Sequence, residues 1–412
     1  QKTAYEIRPR DWSSDVCSSD LTLRKVQLPM AKQMIVLGIN QTVMAALSFV
    51  VIAALIAAPG LGKPVVSALT IQNTGQGLVA GLAVVFLAIL LDRATSAAAT
   101  KQQSFIPPTA NQLKARHRNL SITGALTVIA AIASHFAASL GNFPTKIDIA
   151  TPIANVTNRF VNFLVNDISF STVAFKDLMS IWVLNPIEDM LARAPWFMTL
   201  SMFVIVALVL EGTRMAILTF VLLMAIVATG LWFDAMVTLT QTIVATMLTM
   251  IVGVLLGIWV GRSQRVDSLL RPFLDAGQTM PAFVYLVPVL GLFGPTRFTA
   301  IATGIVYSIP VVVKIVGEGI RSVPHSMIEA ATAAGLNVRQ IITKVQLPAA
   351  KKAIMLSANQ GMIFVLAVIV IGGFVGSGGL GYLVIMGSSK PELAGKGLVA
   401  GLVILLLGVT ID

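Results

Sequence analysis

The 412-residue chain is 56% hydrophobic and only 11% charged, against about 25% charged residues in a soluble domain, which excludes a water-surrounded globule. Its formal net charge is +11, but Lys and Arg fall between apolar runs rather than on a basic face, which excludes nucleic acid as a partner. One cysteine, Cys17, and three scattered histidines, His117, His135 and His325, leave no intrachain disulfide and no metal cluster to expect.

Residues 1–21 are polar and lack the apolar stretch of a secretory leader; they read as foreign or disordered sequence. A repeat follows. Lys25–Gln41 (KVQLPMAKQMIVLGINQ) recurs at Lys344–Gln360 (KVQLPAAKKAIMLSANQ), and across Lys25–Gly62 17 of 38 positions are identical at an offset of 319. After a one-residue shift Gly77–Leu82 matches Gly397–Leu402. The chain therefore divides into 1–21, the tail of a first unit at 22–92, a basic linker at 93–120 carrying Pro107-Pro108, and a nearly complete second unit at 121–412.

Apolar runs recur along the whole chain, and they are continuous rather than alternating. In lipid every backbone polar group must be paired within the protein, so such runs imply helices. The expected fold is an all-α transmembrane bundle of about ten spans: 34–57, 77–92, 121–140, 196–210, 214–231, 237–260, 276–293, 298–316, 353–376 and 396–412. Placing 317–352 in the cytoplasm puts 13 Lys and Arg in the 79 residues of 93–120, 261–275 and 317–352, against 4 in the 48 residues of the short outer segments. That is the bias that orients membrane proteins. The long outer segment 141–195 is expected to form short interfacial helices such as Phe175–Met190, a landing surface for an extracytoplasmic partner.

Between the spans ending near Val316 and starting near Ala353 lies a compact motif within 321–350. Glu329-Ala330-Ala331 is followed, after three residues, by Gly335, and nine residues later by Val345-Gln346-Leu347-Pro348. Pro324 can start a helix there and alanine sustains it. Gly335 can end it in the left-handed conformation, and a second helix, about 337–346, runs to Pro348, which should stop it. The spacing resembles the EAA loop of ATP-binding-cassette importer permeases. The segments 277–294, 305–324 and 372–387 resemble the glycine betaine/proline/choline branch of that family.

This resemblance implies a permease subunit of the bacterial inner membrane, paired with a second permease unit and served by an extracytoplasmic solute-binding protein. Glu329, Ala330, Ala331, Gly335, Leu347 and Pro348 would dock a cytoplasmic ATPase subunit. No G-x-x-x-x-G-K-[ST] loop occurs, so this chain holds no cofactor and ATP is expected on the partner; no catalytic residue is expected. Met280, Pro281, Tyr285 and Pro288 interrupt or line the 276–293 span and are candidates for the translocation path, where an aromatic face could meet a quaternary ammonium. Lys314 with Glu318, and Glu211 with Arg214, have the spacing of local ion pairs. His135 is expected as a packed polar residue, and the six glycines of Gly372–Gly381 as close packing or an outer turn. Competing classes are an ion-coupled secondary osmolyte transporter, which would need ionisable or unwound sites at mid-membrane, and an osmotically gated channel.

Overall fold

A computed structural model describes residues 58–71, 73–100, 110–136, 148–167 and 169–411, with isolated positions between 31 and 54. Among the described residues the structure is helical, with no strand. The chain forms two compact units, one of residues 1–44 with 90–149 and one of residues 45–89 with 150–412. The expected tail 1–21 and most of the expected span 34–57 lie outside the described residues.

In the smaller unit the described structure is helical. The helix that begins at Thr74 runs on to Thr100, and another spans Ala110–Phe136, so the described parts of the expected linker 93–120 are helix rather than coil. The described apolar part of the latter helix is Ser121–Ala133; residues 137–140 of the expected span 121–140 lie outside the described residues.

The larger unit runs α1 (Gly62–Thr70), α2 (Thr74–Thr100, to residue 89), α3 (Ala150–Asp167), α4 (Ser169–Met179), α5 (Trp196–Glu211), α6 (Thr213–Ala228), α7 (Trp232–Arg262), α8 (Gln264–Thr279), α9 (Ala282–Phe293), α10 (Arg297–Arg321), α11 (His325–Ala333), α12 (Val338–Ile341), α13 (Lys351–Ile371), α14 (Gly379–Ser389) and α15 (Ala394–Ile411). Widened turns carry α4 on to Arg193 and α12 on to Gln346. Of the outer segment 141–195, expected to form short interfacial helices, the described residues of 150–193 are thus helical.

Among the described residues five helices are long and apolar enough to cross a membrane: Thr74–Thr95, Trp232–Arg262, Arg297–Arg321, Lys351–Val375 and Pro391–Ile411. Two bent pairs would raise that to seven; of the about ten spans expected, 34–57 lies mostly outside the described residues. The expected span 276–293 is broken. Helices Gln264–Gln278 and Ala282–Phe293 meet at 100°, because Pro281 lacks the N–H that would continue the helix and holds Met280 extended, at φ −75° and ψ 131°. What remains, α9, has 12 residues, about 18 Å of helix. The loop expected at 261–275 is instead α8, whose Val266, Leu270 and Leu274 pack with Val260 and Val313. The expected spans 196–210 and 214–231 are 16-residue helices joined through Gly212 at φ 91°. The first turns 102° from Thr172–Arg193.

The centre is α10, held between α7 and α13. Gly253, Gly257 and Gly261, one turn apart on α7, admit the α10 backbone. A Cβ at Gly257 would lie 2.6 Å from Val316 Cβ, and one at Gly261 2.7 Å from Gly317 O. Small residues at this spacing let membrane helices approach closely enough to gain dispersion contact, the main attraction left where lipid is as apolar as the side chains. On the other side Gly361 of α13 admits Val312. A second cluster joins Val65 and Leu69 of α1, Ala80 and Val84 of α2, and Phe283, Leu286, Val287 and Leu290 of α9.

Candidate functional site

The motif at 321–350 folds as a helix–turn–helix. Pro324 precedes α11, and no residue of α11 is buried. Glu329 is exposed and lies 2.9 Å from His325 Nδ1, one turn back. Ala330 is exposed and Ala331 half-buried. Gly335 takes φ +78°, the left-handed region where a Cβ would clash. There its N–H donates to Thr332 O at 2.9 Å and that of Leu336 to Ala331 O at 3.1 Å, closing the carbonyls that α11 leaves open. Asn337 then starts α12 with a reciprocal cap: its Oδ1 accepts from Gln340 N–H, and Gln340 Oε1 accepts from Asn337 N–H, each at 2.9 Å.

Pro348 does not stop the second helix. The chain stays helical through Leu347–Ala349, after a turn at Ile342–Gln346 widened to the π type, which accommodates a residue that cannot donate. Leu347 packs against the cluster of Val312, Val316, Ile320 and Ala350, anchoring the motif to α10. Pro348 is exposed. Gln346, whose place in the repeated Lys-Val-Gln-Leu-Pro was its only sequence signal, is buried and accepts from Arg262 Nη1 at the end of α7.

The elbow at Met280-Pro281 is braced from two directions. Tyr285 Oη donates to Gly277 O at 2.6 Å across the break. Lys314 of α10 pairs with Asp275 at 2.6 Å and donates to Gln278 Oε1 at 2.6 Å, instead of pairing with Glu318. Arg321 reaches Asp267 at 3.1 Å, and Asp267 also holds Arg271 at 2.9 Å. Three charged groups from α8 and three from α10 thus line one cleft of about 160 Å³. Glu211 and Arg214 form no pair with each other; Gly212 turns the chain between them.

Pro281 is buried, and Met280, Tyr285 and Pro288 are half-buried. The Tyr285 ring meets Tyr307 of α10 edge-on at 5.6 Å, and Tyr307 meets Phe364 of α13 at 5.5 Å. Three half-buried aromatics from three helices therefore form one wall, of which the span-by-span sequence reading held only Tyr285. The glycines of Gly372–Gly381 give close packing as expected: a Cβ at Gly373 would collide with the backbone of Gly381 and Tyr382. The side chain of His135 lies outside the described residues.

The family described as "Binding-protein-dependent transport system inner membrane component" matches residues 253–412. The trimethylamine N-oxide transport system permease protein TmoV of Pelagibacter ubique is 31% identical over 408 residues, covering 96% of this chain and 56% of TmoV. The glycine betaine/proline betaine transport system permease protein ProW of Escherichia coli is 37% identical over 231 residues, 56% of this chain and 65% of ProW. The glycine betaine/carnitine transport permease protein GbuB of Listeria monocytogenes is 33% identical over 256 residues, 61% of this chain and 86% of GbuB. The chain thus spans a little over half of TmoV and just under two thirds of ProW.

Proposed function

The chain belongs to the family of binding-protein-dependent transport system inner membrane components, and on that premise we propose that it is the membrane subunit of an ATP-driven importer for quaternary-amine solutes such as glycine betaine, proline betaine or choline. In this reading an extracytoplasmic binding protein delivers the solute to a bacterial plasma-membrane assembly. A separate ATPase, which carries all the ATP, docks on the helix–turn–helix, and a second permease unit completes the pathway. Residues 22–92 are the tail of one such unit, and 121–412 form most of another, joined through 93–120.

The observation that carries the proposal is α11. In a chain whose exposed side chains are mostly apolar, this helix has no buried residue, presents Glu329-Ala330-Ala331, and is fixed at both ends by Pro324 and Gly335. Small side chains let a partner groove approach its backbone, while Leu347 and Gln346 tie it to α10 and α7. A load on α11 is thereby passed to two spans. The aromatic wall from Tyr285 to Phe364, with Met280, Pro281 and Pro288 beside it, suits the route of a cation that has no N–H to donate.

Co-purification of the tagged chain with its ATPase tests the docking role. Glu329→Lys should abolish recovery of the ATPase while membrane insertion is retained. Normal recovery with the variant would remove α11 from the contact.

A further inference from the structure

Helix α15 and its repeat counterpart α2 share part of their buried face, Gly77 with Ala80 and Gly397 with Ala400, but the rest of that face is rotated between the two copies. Gly77–Leu82 of α2 and Gly397–Leu402 of α15 carry the same six residues. Each sits behind a short helix packed at the matching place: a Cβ at Gly77 would meet Ala68 of α1, and one at Gly397 would meet Gly387 of α14.

From there the two copies diverge. On α2, Gly81 is pressed against α9, where an added Cβ would lie 2.9 Å from Val284 Cγ1; Val85, one turn on, is 8% exposed. On α15, a Cβ at Gly401 would meet nothing within 4 Å, and Leu405, the counterpart of Val85, is 61% exposed. Leu398 and Leu402 are bare, whereas Leu78 and Leu82 are half-buried. The other face shows the reverse. Leu407 is fully buried with Leu223 and Ile226 of α6 and Leu239 of α7, while its counterpart Leu87 is 39% exposed.

Side chains this similar do not produce the difference; neighbours do. A glycine inside a helix is unfavourable relative to alanine, and where membrane helices meet it permits a close approach. Gly81 has that approach and Gly401 does not. We propose that the stripe Leu398, Gly401, Leu402 and Leu405 is the docking surface for a companion permease unit, and that its occupant is that unit's counterpart of α9. It would seat on Gly401 as Val284 seats on Gly81. The proposal rests on the functional reading above, in which the chain works paired with a second permease unit. In a second copy of this chain α9 is already covered by α2, so the fitting companion is a unit whose α9-type helix is free.

The test uses the full chain in liposomes with Cys17→Ser, and a synthetic peptide of the sequence 281–294 in which the valine matching Val284 is cysteine. The reference is Gly81→Cys with Val284→Cys: the built Cβ at 81 lies 3.5 Å from Val284 Cβ, within disulfide range, so oxidation should link them within the chain. The peptide should then couple to Gly401→Cys about tenfold more than to Val209→Cys, a bare apolar position on α5. Equal coupling at both positions makes the stripe an ordinary lipid-facing surface and overturns the proposal. So does no coupling at 401, or failure of the reference pair. ATPase recovery reads α11 separately. A chain that binds the ATPase but not the peptide loses only this surface; one that binds the peptide but not the ATPase loses the functional reading.

Discussion

Arg262, the last residue of α7, donates through Nη1 to Oε1 of Gln346, 84 residues later, so a 31-residue span ends bonded to the turn that closes the helix–turn–helix. A hydrogen bond to a charged group contributes about 1.5–3 kcal/mol. Gln346→Leu keeps the bulk and removes the acceptor; Arg262, being exposed, regains water, which places the loss near the lower figure. The amides of 342–350 should then exchange with deuterium about tenfold faster, measured by mass spectrometry. Unchanged exchange would show that Leu347 packing alone holds the motif.

Glu188 is 5% exposed and is met by Arg297 at the start of α10, which also donates to Asn185 Oδ1 at 3.3 Å. Arg297→Met would leave a buried carboxylate without its counter-charge, a loss of about 3–5 kcal/mol for a buried pair. Because the Arg297 side chain is 39% exposed, about 3 kcal/mol is expected, seen as a lower melting temperature in detergent. Adding Glu188→Leu should recover most of it. A double variant as unstable as the single would mean that Arg297 acts through packing instead.

The helix–turn–helix was legible because local chemistry decides it: the turn needs a left-handed residue, and Gly335 stands where one is required. The widened turn before Pro348 was not, since a proline normally reads as a stop. Hydropathy placed 276–293 in one span because it sums composition and carries no direction, so the 100° elbow looked like a kink. Lys314 illustrates the tertiary limit. Glu318 is its neighbour at i,i+4, but α8 folds back and offers Asp275 instead. The glycines at 253, 257 and 261 are plain in the sequence; that they admit α10 is a fact of packing.

That glycine ladder predicts a graded penalty. A Cβ at Gly257 would lie 2.6 Å from Val316 Cβ and 3.2 Å from Val313 O, closer than side-chain carbons come without movement. Gly257→Ala should cost about 1–3 kcal/mol through overpacking, and Gly257→Leu should prevent stable folding. Val316→Ala in the Gly257→Ala background should recover part of the loss, because it removes the atoms being struck. Thermal melting of the four proteins closes a double-mutant cycle, and strict additivity would argue against contact between the two positions.

Tyr307 lies between Tyr285 and Phe364, with ring centroids 5.6 Å and 5.5 Å away, and the Tyr285 hydroxyl is engaged by Gly277 O. A quaternary ammonium passing this wall would be held by ring faces, an attraction of about 0.5–2 kcal/mol, or roughly 2- to 30-fold in binding. Tyr307→Leu should therefore slow uptake of radiolabelled glycine betaine by a factor in that range, and Tyr307→Phe should restore it, since the ring remains. A phenylalanine at 307 carrying one, two and then three ring fluorines should lower uptake stepwise, because each fluorine withdraws charge from the face while hardly changing its shape. A role in packing alone would leave the fluorinated series flat, and that outcome would take Tyr307 off the route.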